Sequence, residues 1–155
     1  MNYKFDITLA PVFYNETYPQ CRVGCNNDQQ DIILKKEQTF SFTTKCNEYS
    51  ELFVELYGKN DSDSINGREL AIKILNVRVM GIDNEQFIWA GTYTPEYPKL
   101  WASQQQQQGN TLKKVIKNTN YLGWNGRWNL HITGMPFTWI HHILNHGWIH
   151  PSDHL

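Results

Sequence analysis

The side chains best suited to metal or proton chemistry are concentrated at the end of the chain. All six histidines lie between His131 and His154. On a continuous helix, His142 and His146 would lie on one face, in the i, i+4 geometry that two zinc ligands can use. The segment HHILNH lacks the glutamate that serves as general base in the metalloprotease pattern HExxH. We therefore keep His142 and His146 as minor metal candidates, favour contact with a neighbouring protein, and retain a pH switch as an alternative.

An acidic and amide-rich segment, KNDSDSINGRE at positions 59–69, offers oxygen ligands for a second kind of metal. Asp61 and Asp63 are the candidate ligands, because calcium prefers carboxylate and amide oxygens. The spacing does not fit the helix-loop-helix calcium pattern, since Gly67 falls seventh from Asp61 and the twelfth residue is Ile72. The segment is predicted to be a solvated loop, with a non-standard calcium site as the alternative and no cofactor expected.

Tryptophan is unusually frequent in this chain. Aromatic residues make up 14% of the sequence and include six tryptophans, which is more than a core of this size needs. Exposed tryptophan rings can stack on the apolar faces of sugar rings. The candidate ligand-binding residues are Trp89, Trp101, Trp124 and Trp128, and burial in the core is the competing explanation for each.

The motifs that usually carry catalysis do not occur in the sequence. It contains no GxSxG nucleophile elbow, no phosphate-binding P-loop and no GxGxxG. The formal net charge is -1, so no global field directs the protein to nucleic acid or to an anionic membrane. Lys113, Lys114 and Lys117 are predicted to form a solvated face. We therefore predict a protein that is not an enzyme and that binds neither nucleic acid nor membrane.

The cysteines and the N-terminal segment indicate the compartment of synthesis. Cys21, Cys25 and Cys46 are odd in number and lack CxxC spacing, so they are predicted to be reduced thiols. The first residues, MNYKFDITLAPVFY, carry charges where a signal peptide would be apolar. We expect the protein to be made in the cytoplasm.

Alternation of apolar and polar residues predicts a strand-rich fold. Tyr3 to Leu9 alternate cleanly, which is typical of a half-buried strand. In ELAIKILNVRVMGI the apolar phase shifts between Ile74 and Val77, which predicts a bulge near Leu75 and Asn76.

Turn residues predict how the strands are connected. The pair Asn125-Gly126 predicts a type I′ hairpin in which Trp124 and Arg127 face each other. KKEQ predicts a second hairpin, between positions 32–34 and 39–43. The strand predicted in FIWAGTYT has Phe87, Trp89 and Tyr93 on one face, and the glutamines at 104–108 are predicted to be a mobile or partner-ordered loop.

The end of the chain is the one segment that is predicted to be helical. Pro136 is well placed in a first helical turn, and Phe137, Ile140 and Leu144 recur at i, i+3 and i+7. We predict a mainly all-β fold, an antiparallel β-sandwich or jelly roll, for residues 1–135. A short C-terminal helix and an extended tail at 136–155 would pack on it or on a partner.

Four segments together resemble small accessory virion proteins of tailed bacteriophages: KNDSDSINGRE, FIWAGTYTPEYP, YLGWNGRWNL and FTWIHHILNHGWI. The resemblance implies a β-rich, non-catalytic subunit of the virion, as capsid decoration or as a tail- or neck-associated protein. It implies homo- or hetero-oligomeric contacts with other virion proteins, and no residue roles transfer from it.

We expect the helix stripe at 137, 140 and 144 to dock on the protein's own sandwich. The residues predicted to contact a neighbouring subunit are Trp139, His142, His146, Trp148 and His150. The alternative function is a carbohydrate-binding module with a glycan partner, assisted by calcium at Asp61 and Asp63.

Overall fold

The chain folds into two antiparallel sheets that enclose one hydrophobic core. The computed structural model describes residues 2–45, 49–60, 62 and 69–144. The strands are β1 (Asn2–Val12), β2 (Gln20–Cys25), β3 (Asp28–Ile33), β4 (Gln38–Lys45), β5 (Tyr49–Tyr57), β6 (Ala71–Val79), β7 (Ile82–Asp83), β8 (Thr92–Pro95), β9 (Ile116–Lys117), β10 (Tyr121–Leu122) and β11 (Gly126–Thr133). The helices are α1 (Gln86–Trp89), α2 (Lys99–Gln107) and α3 (Pro136–Leu144).

The strand order defines a sandwich. Sheet one has the order β10-β6-β1-β4, with β7 added to β6, and sheet two has the order β3-β2-β5-β11-β8-β9. Every named pairing is antiparallel. The prediction of a mainly β, antiparallel sandwich with a short C-terminal helix is confirmed.

The core consists of the inward-facing residues of both sheets. Sheet one contributes apolar residues from its three long strands, namely Tyr3, Phe5, Ile7, Leu9, Phe40, Phe42, Ile72, Ile74, Val77 and Val79. Sheet two contributes Cys21, Val23, Cys25, Leu52, Val54, Leu56, Trp128, Leu130 and Ile132. The predicted period-two strand at the start of the chain is therefore confirmed, because its alternate residues all face the second sheet.

The bulge predicted in β6 is also present. Thr8 of β1 is opposite Asn76, whereas Leu9 is opposite Ile74, so Leu75 has no partner on β1. The side chain of Leu75 is 43% exposed. One extra residue at this point lets both halves of β6 direct their apolar side chains inward.

Both predicted hairpins are wrong, because each turn leads from one sheet to the other. The KKEQ segment connects β3 of sheet two with β4 of sheet one. Tyr121 and Leu122 pair with β6 in sheet one, whereas Gly126 begins β11 in sheet two. A type I′ turn needs positive φ at both central residues, and of Asn125 and Gly126 only Gly126 has it. Met80 and Gly81, between β6 and β7, are the pair in which both φ angles are positive.

Two helices were not predicted. The glutamines predicted to form a loop continue α2, which follows Pro98 and ends before Gly109 at φ 82°. Glutamine has good helix propensity, and glycine with positive φ is a common helix terminator. The strand predicted in FIWAGTYT is instead the single turn α1 followed by β8, so Trp89 does not share a strand face with Tyr93.

The C-terminal helix begins at Pro136 as predicted, and Ile140 and Leu144 of the predicted stripe are buried, but Trp139 is buried in place of Phe137. Its buried residues are Pro136, Trp139, Ile140 and Leu144, and Phe137 is 52% exposed. Trp139 is only 5% exposed and lies against Phe87 of α1, with ring centroids 5.4 Å apart. The helix is turned so that its largest ring is buried, since an aromatic ring buries about 150–250 Å². Trp139 is therefore not a contact for a neighbouring subunit.

None of the helices in the described part of the chain is long and apolar enough to cross a membrane.

The thiol of Cys21 is expected to resist alkylation in the folded protein. Cys21 is a free cysteine buried on the inner face of β2, and burial raises its pKa to about 12. The reactive thiolate is therefore scarce at pH 8. Peptide mass spectrometry after iodoacetamide treatment should find Cys21 unmodified in buffer and modified in concentrated urea. Rapid labelling without denaturant would contradict this packing.

Candidate functional site

Three aromatic rings meet at the surface of the molecule, close to the point where β8 ends and β11 begins. The ring centroids of Trp101 and Trp124 are 4.7 Å apart, those of Tyr97 and Trp124 are 5.4 Å apart, and those of Tyr97 and Trp101 are 5.9 Å apart. All three residues are partly exposed, in contrast to the rings of the core. We call these three residues the aromatic cluster.

The hydroxyl group of Tyr93 holds the backbone of Trp124 in place. It donates a hydrogen bond to the carbonyl oxygen of Trp124 and accepts one from the Trp124 N–H at 2.9 Å. Tyr93 lies on β8 and is buried, and this burial raises the pKa of its hydroxyl. The hydroxyl therefore remains protonated, and so remains a donor, throughout the ordinary pH range.

The other two rings come from the segment after β8. Pro98 is buried and directly precedes α2, whose third residue is Trp101. The Tyr97 hydroxyl donates a 2.7 Å hydrogen bond to the backbone oxygen of Lys113. This hydrogen bond connects the segment before α2 with the segment after it. The ring of Trp101 on α2 then lies against the ring of Trp124.

An open groove adjoins the aromatic cluster on the side of Tyr97. Its volume is about 400 Å³. It is lined by residues of β8, the connection from β8 to α2, α2 itself and the segment that follows α2, namely Thr94, Pro95, Tyr97, Ala102, Gln106, Leu112 and Lys114. The lining combines apolar side chains with hydroxyl, amide and amine groups, which suits a ligand that has both apolar faces and hydroxyl groups.

Lys59 adjoins the aromatic cluster on the side of Trp124. Its ammonium group lies 5.7 Å from the centre of the Trp124 ring and donates a 2.6 Å hydrogen bond to the backbone oxygen of Gly123. The side-chain amide of Asn125 accepts a hydrogen bond from the backbone N–H of Lys59 at 3.0 Å and donates one to the backbone carbonyl oxygen of Lys59 at 2.6 Å. This fixes the chain that enters the acidic segment 59–69 beside the aromatic cluster.

The other end of the acidic segment is attached to the same strand connection. The hydroxyl of Tyr121 donates to Glu69 at 3.1 Å, and burial together with this hydrogen bond raises the pKa of Tyr121 to about 12. The first and last residues of the segment, Lys59 and Glu69, therefore both contact positions 121–125. Asp61 and Asp63 lie between them in the sequence, outside the described residues.

Comparison with known proteins supports the fold. No family model and no curated protein matches the chain. One similar solved structure is the selenomethionine form of vCBM60, described with a circular permutation that links two families of calcium-dependent carbohydrate-binding modules. It has a TM-score of 0.50 at 11% identity, over 84% of this chain and 90% of that chain. A second, vCBM60 in complex with galactobiose, has a TM-score of 0.49 at 12% identity, over 82% of this chain and 96% of that one. At this identity the likeness shows the sandwich fold alone.

The structure brings two of the four candidate tryptophans together and separates the others. Trp101 and Trp124 form the aromatic cluster with Tyr97, a tyrosine that is not among the candidate tryptophans. Trp89 is 36% exposed on α1, outside the cluster. The sequence Tyr-Pro-Lys-Leu-Trp, in which a tyrosine and a tryptophan flank a helix start, was the available signal for Tyr97.

Trp128 is a core residue, so its assignment to a ligand site is wrong. It is 0% exposed, and a β-carbon added to Gly91 would lie 2.3 Å from its ring. The missing side chain at Gly91 thus makes room for the indole of β11. Alternation along β11 directs Trp128 to the same inner face as Leu130 and Ile132.

Most of the predicted metal and contact residues lie outside the described residues. These are Asp61, Asp63, His146, Trp148 and His150. His142 is exposed on α3. Within residues 2–45, 49–60, 62 and 69–144, no group of three or more histidine, cysteine or acidic side chains is arranged to hold a metal. The zinc and calcium sites therefore stay predictions.

Carboxylates on the outer face of sheet two are paired with arginines. Arg22 contacts Asp31 at 2.7 Å and Glu55 at 3.2 Å. Arg127 contacts Glu51 at 3.4 Å, and its guanidinium carbon lies 3.9 Å from the centre of the Phe53 ring. These acids therefore form ion pairs across the outer surface of sheet two.

Proposed function

We propose that the protein is a carbohydrate-binding module whose ligand stacks on Tyr97, Trp101 and Trp124. The observation that carries the proposal is the contact of three partly exposed rings at a surface between an open groove and a lysine. Sugar rings have apolar C–H faces that pack on aromatic rings and hydroxyl groups that need hydrogen-bond partners. The aromatic cluster supplies the rings on which a sugar can pack. The adjoining side chains of Gln106, Lys114 and Lys59 carry groups that can form hydrogen bonds with sugar hydroxyls.

The fold and the positions of the acidic residues support the same proposal. A sandwich scaffold with a TM-score of 0.50 to a carbohydrate-binding module fits a protein that binds without catalysing a reaction. Asp61 and Asp63 belong to a segment whose two ends contact the connection that carries Trp124. Calcium bound by Asp61 and Asp63 would ligate sugar hydroxyl groups, which is the calcium-assisted form of the proposal.

A glycan array tests this function directly. The purified protein is applied to gluco-, xylo- and galacto-oligosaccharides in calcium buffer and again in EGTA. We expect binding to at least one saccharide class, and its loss in EGTA would support calcium assistance. Absence of binding to every saccharide in both buffers would contradict the proposal.

The virion role implied by the sequence resemblance stays a prediction. Its proposed contact surface loses Trp139, which is buried, and His142 is the one remaining predicted contact residue that the structure describes. Localisation in a virus particle and contacts with other virion proteins likewise stay predictions.

A further inference from the structure

A second cleft lies at the end of β5, beside the connection between β1 and β2. Its volume is about 160 Å³. Among the polar and aromatic side chains that line it are Tyr14, Thr17, Tyr18, Gln20, Tyr57, Lys59 and Asn60. Sites for drug-sized ligands are roughly 300–1,000 Å³, so this cleft accommodates a group of about one sugar ring.

The chemistry of the cleft suits a group rich in hydroxyls. The rings of Tyr18 and Tyr57 are partly buried and can pack against an apolar face, while the amides of Gln20 and Asn60 are exposed. An amide both donates and accepts, as a sugar hydroxyl does. The lining is thus of the same chemical type as that of the aromatic cluster.

Neighbouring side chains hold the two tyrosine rings. Tyr18 contacts Phe13, with ring centroids 4.7 Å apart, and Lys35 lies 5.9 Å from the centre of the Tyr18 ring. The guanidinium of Arg22 lies 5.5 Å from the centre of the Tyr57 ring. Rings that are held before the ligand arrives lose less conformational entropy on binding.

Lys59 connects this cleft to the aromatic cluster. It lines the cleft, and its ammonium group reaches the ring of Trp124. On the far side of the cluster, Tyr97 also lines the groove of about 400 Å³. The groove and the aromatic cluster therefore share Tyr97, and the cleft is connected to the cluster by Lys59.

We infer that the three sites form one extended surface that binds an oligosaccharide chain, with the tyrosine-lined cleft as an additional sugar subsite. The inference rests on the proposed function, since it extends the same binding surface. One sugar ring fills the cleft and cannot also stack on Trp124. A chain of several sugars can occupy both, so longer ligands gain contacts that a disaccharide on the cluster lacks.

Binding measured against ligand length tests the inference. Isothermal titration calorimetry compares gluco-, xylo- and galacto-oligosaccharides from the disaccharide to the hexasaccharide. We expect the best hexasaccharide to bind about tenfold more tightly than its disaccharide, the gain from about one stacked ring with its hydrogen bonds. Tyr18→Ala and Gln20→Ala should each lower the affinity for the hexasaccharide severalfold and change the affinity for the disaccharide less, so that the advantage of the longer chain shrinks.

The matched control is Tyr49→Ala, because Tyr49 is 52% exposed and lines neither the groove nor the cleft. It should retain the full advantage of the longer chain. Equal affinity for all lengths, or an advantage that survives both Tyr18→Ala and Gln20→Ala, would overturn the extended surface. Failure of the proposed function has a different signature, since then even the disaccharides do not bind.

Discussion

Replacement of Trp124 by alanine is expected to remove most carbohydrate binding and to leave the sandwich folded. Trp124 contacts both other rings of the aromatic cluster and the ammonium group of Lys59. Loss of a central aromatic contact commonly costs roughly 2 kcal/mol or more, which is about a 30-fold loss of affinity. The measurement is calorimetry with the best saccharide from the array.

The fold should persist because the anchor of this segment is the backbone of Trp124. Both hydrogen bonds with the Tyr93 hydroxyl use the N–H and carbonyl of residue 124, so alanine retains them. We expect the free energy of unfolding to fall by about 1–2 kcal/mol, the usual cost of truncating a partly buried side chain.

Trp89→Ala is the matched control, since it removes the same side chain from a partly exposed position outside the cluster. Its affinity should stay close to that of the unaltered protein. If Trp89→Ala and Trp124→Ala lose binding equally, the rings of the cluster are not the binding surface. If neither loses binding, the ligand occupies another part of the molecule.

Gly126→Ala is expected to destabilise the protein by about 3 kcal/mol or more. Gly126 has φ 145°, a backbone region that other residues rarely occupy, which costs roughly 1–3 kcal/mol. An added β-carbon would also lie 2.3 Å from the backbone oxygen of Thr94 and 2.8 Å from Cα of Pro95. These are backbone atoms of the paired strand β8, so the clash cannot be relieved by a change of rotamer. Overpacking of this kind costs about 1–3 kcal/mol.

Gly109→Ala separates the cost of a positive φ from the cost of a steric clash with a neighbouring strand. Gly109 also has positive φ, at 82°, but a β-carbon there meets no atom within 4 Å. This variant should lose about 1 kcal/mol, from the backbone term alone. For a domain of this size that is a fall in Tm of about 2–4 °C, compared with about 6–12 °C for Gly126→Ala. Thermal unfolding followed by circular dichroism measures both, and equal shifts would show that the contact with β8 is not tight.

The tertiary structure decided which strands pair and which turns form hairpins. Asn125-Gly126 has the composition of a type I′ turn, yet its flanks pair in different sheets. Turn propensity is worth little against the burial of whole strand faces, so the long-range pairings of β10 with β6 and of β11 with β5 prevail. The glutamines after Trp101 were assigned to a loop by composition, although their helix propensity is good and Pro98 and Gly109 bound the helix.

Local features of the sandwich could be predicted from the amino-acid sequence. Alternation from Tyr3 to Leu9, the bulge at Leu75 and the helix start at Pro136 depend on neighbours along the chain, and each is present. Whether a tryptophan is buried in the core or lies at the surface depends instead on residues far away in sequence. Trp128 is buried because Gly91 leaves room for its ring, whereas Trp124 meets Trp101 because β8, α2 and β11 converge at one edge. Only the folded chain brings such positions together, since no periodicity in the sequence encodes contacts between them.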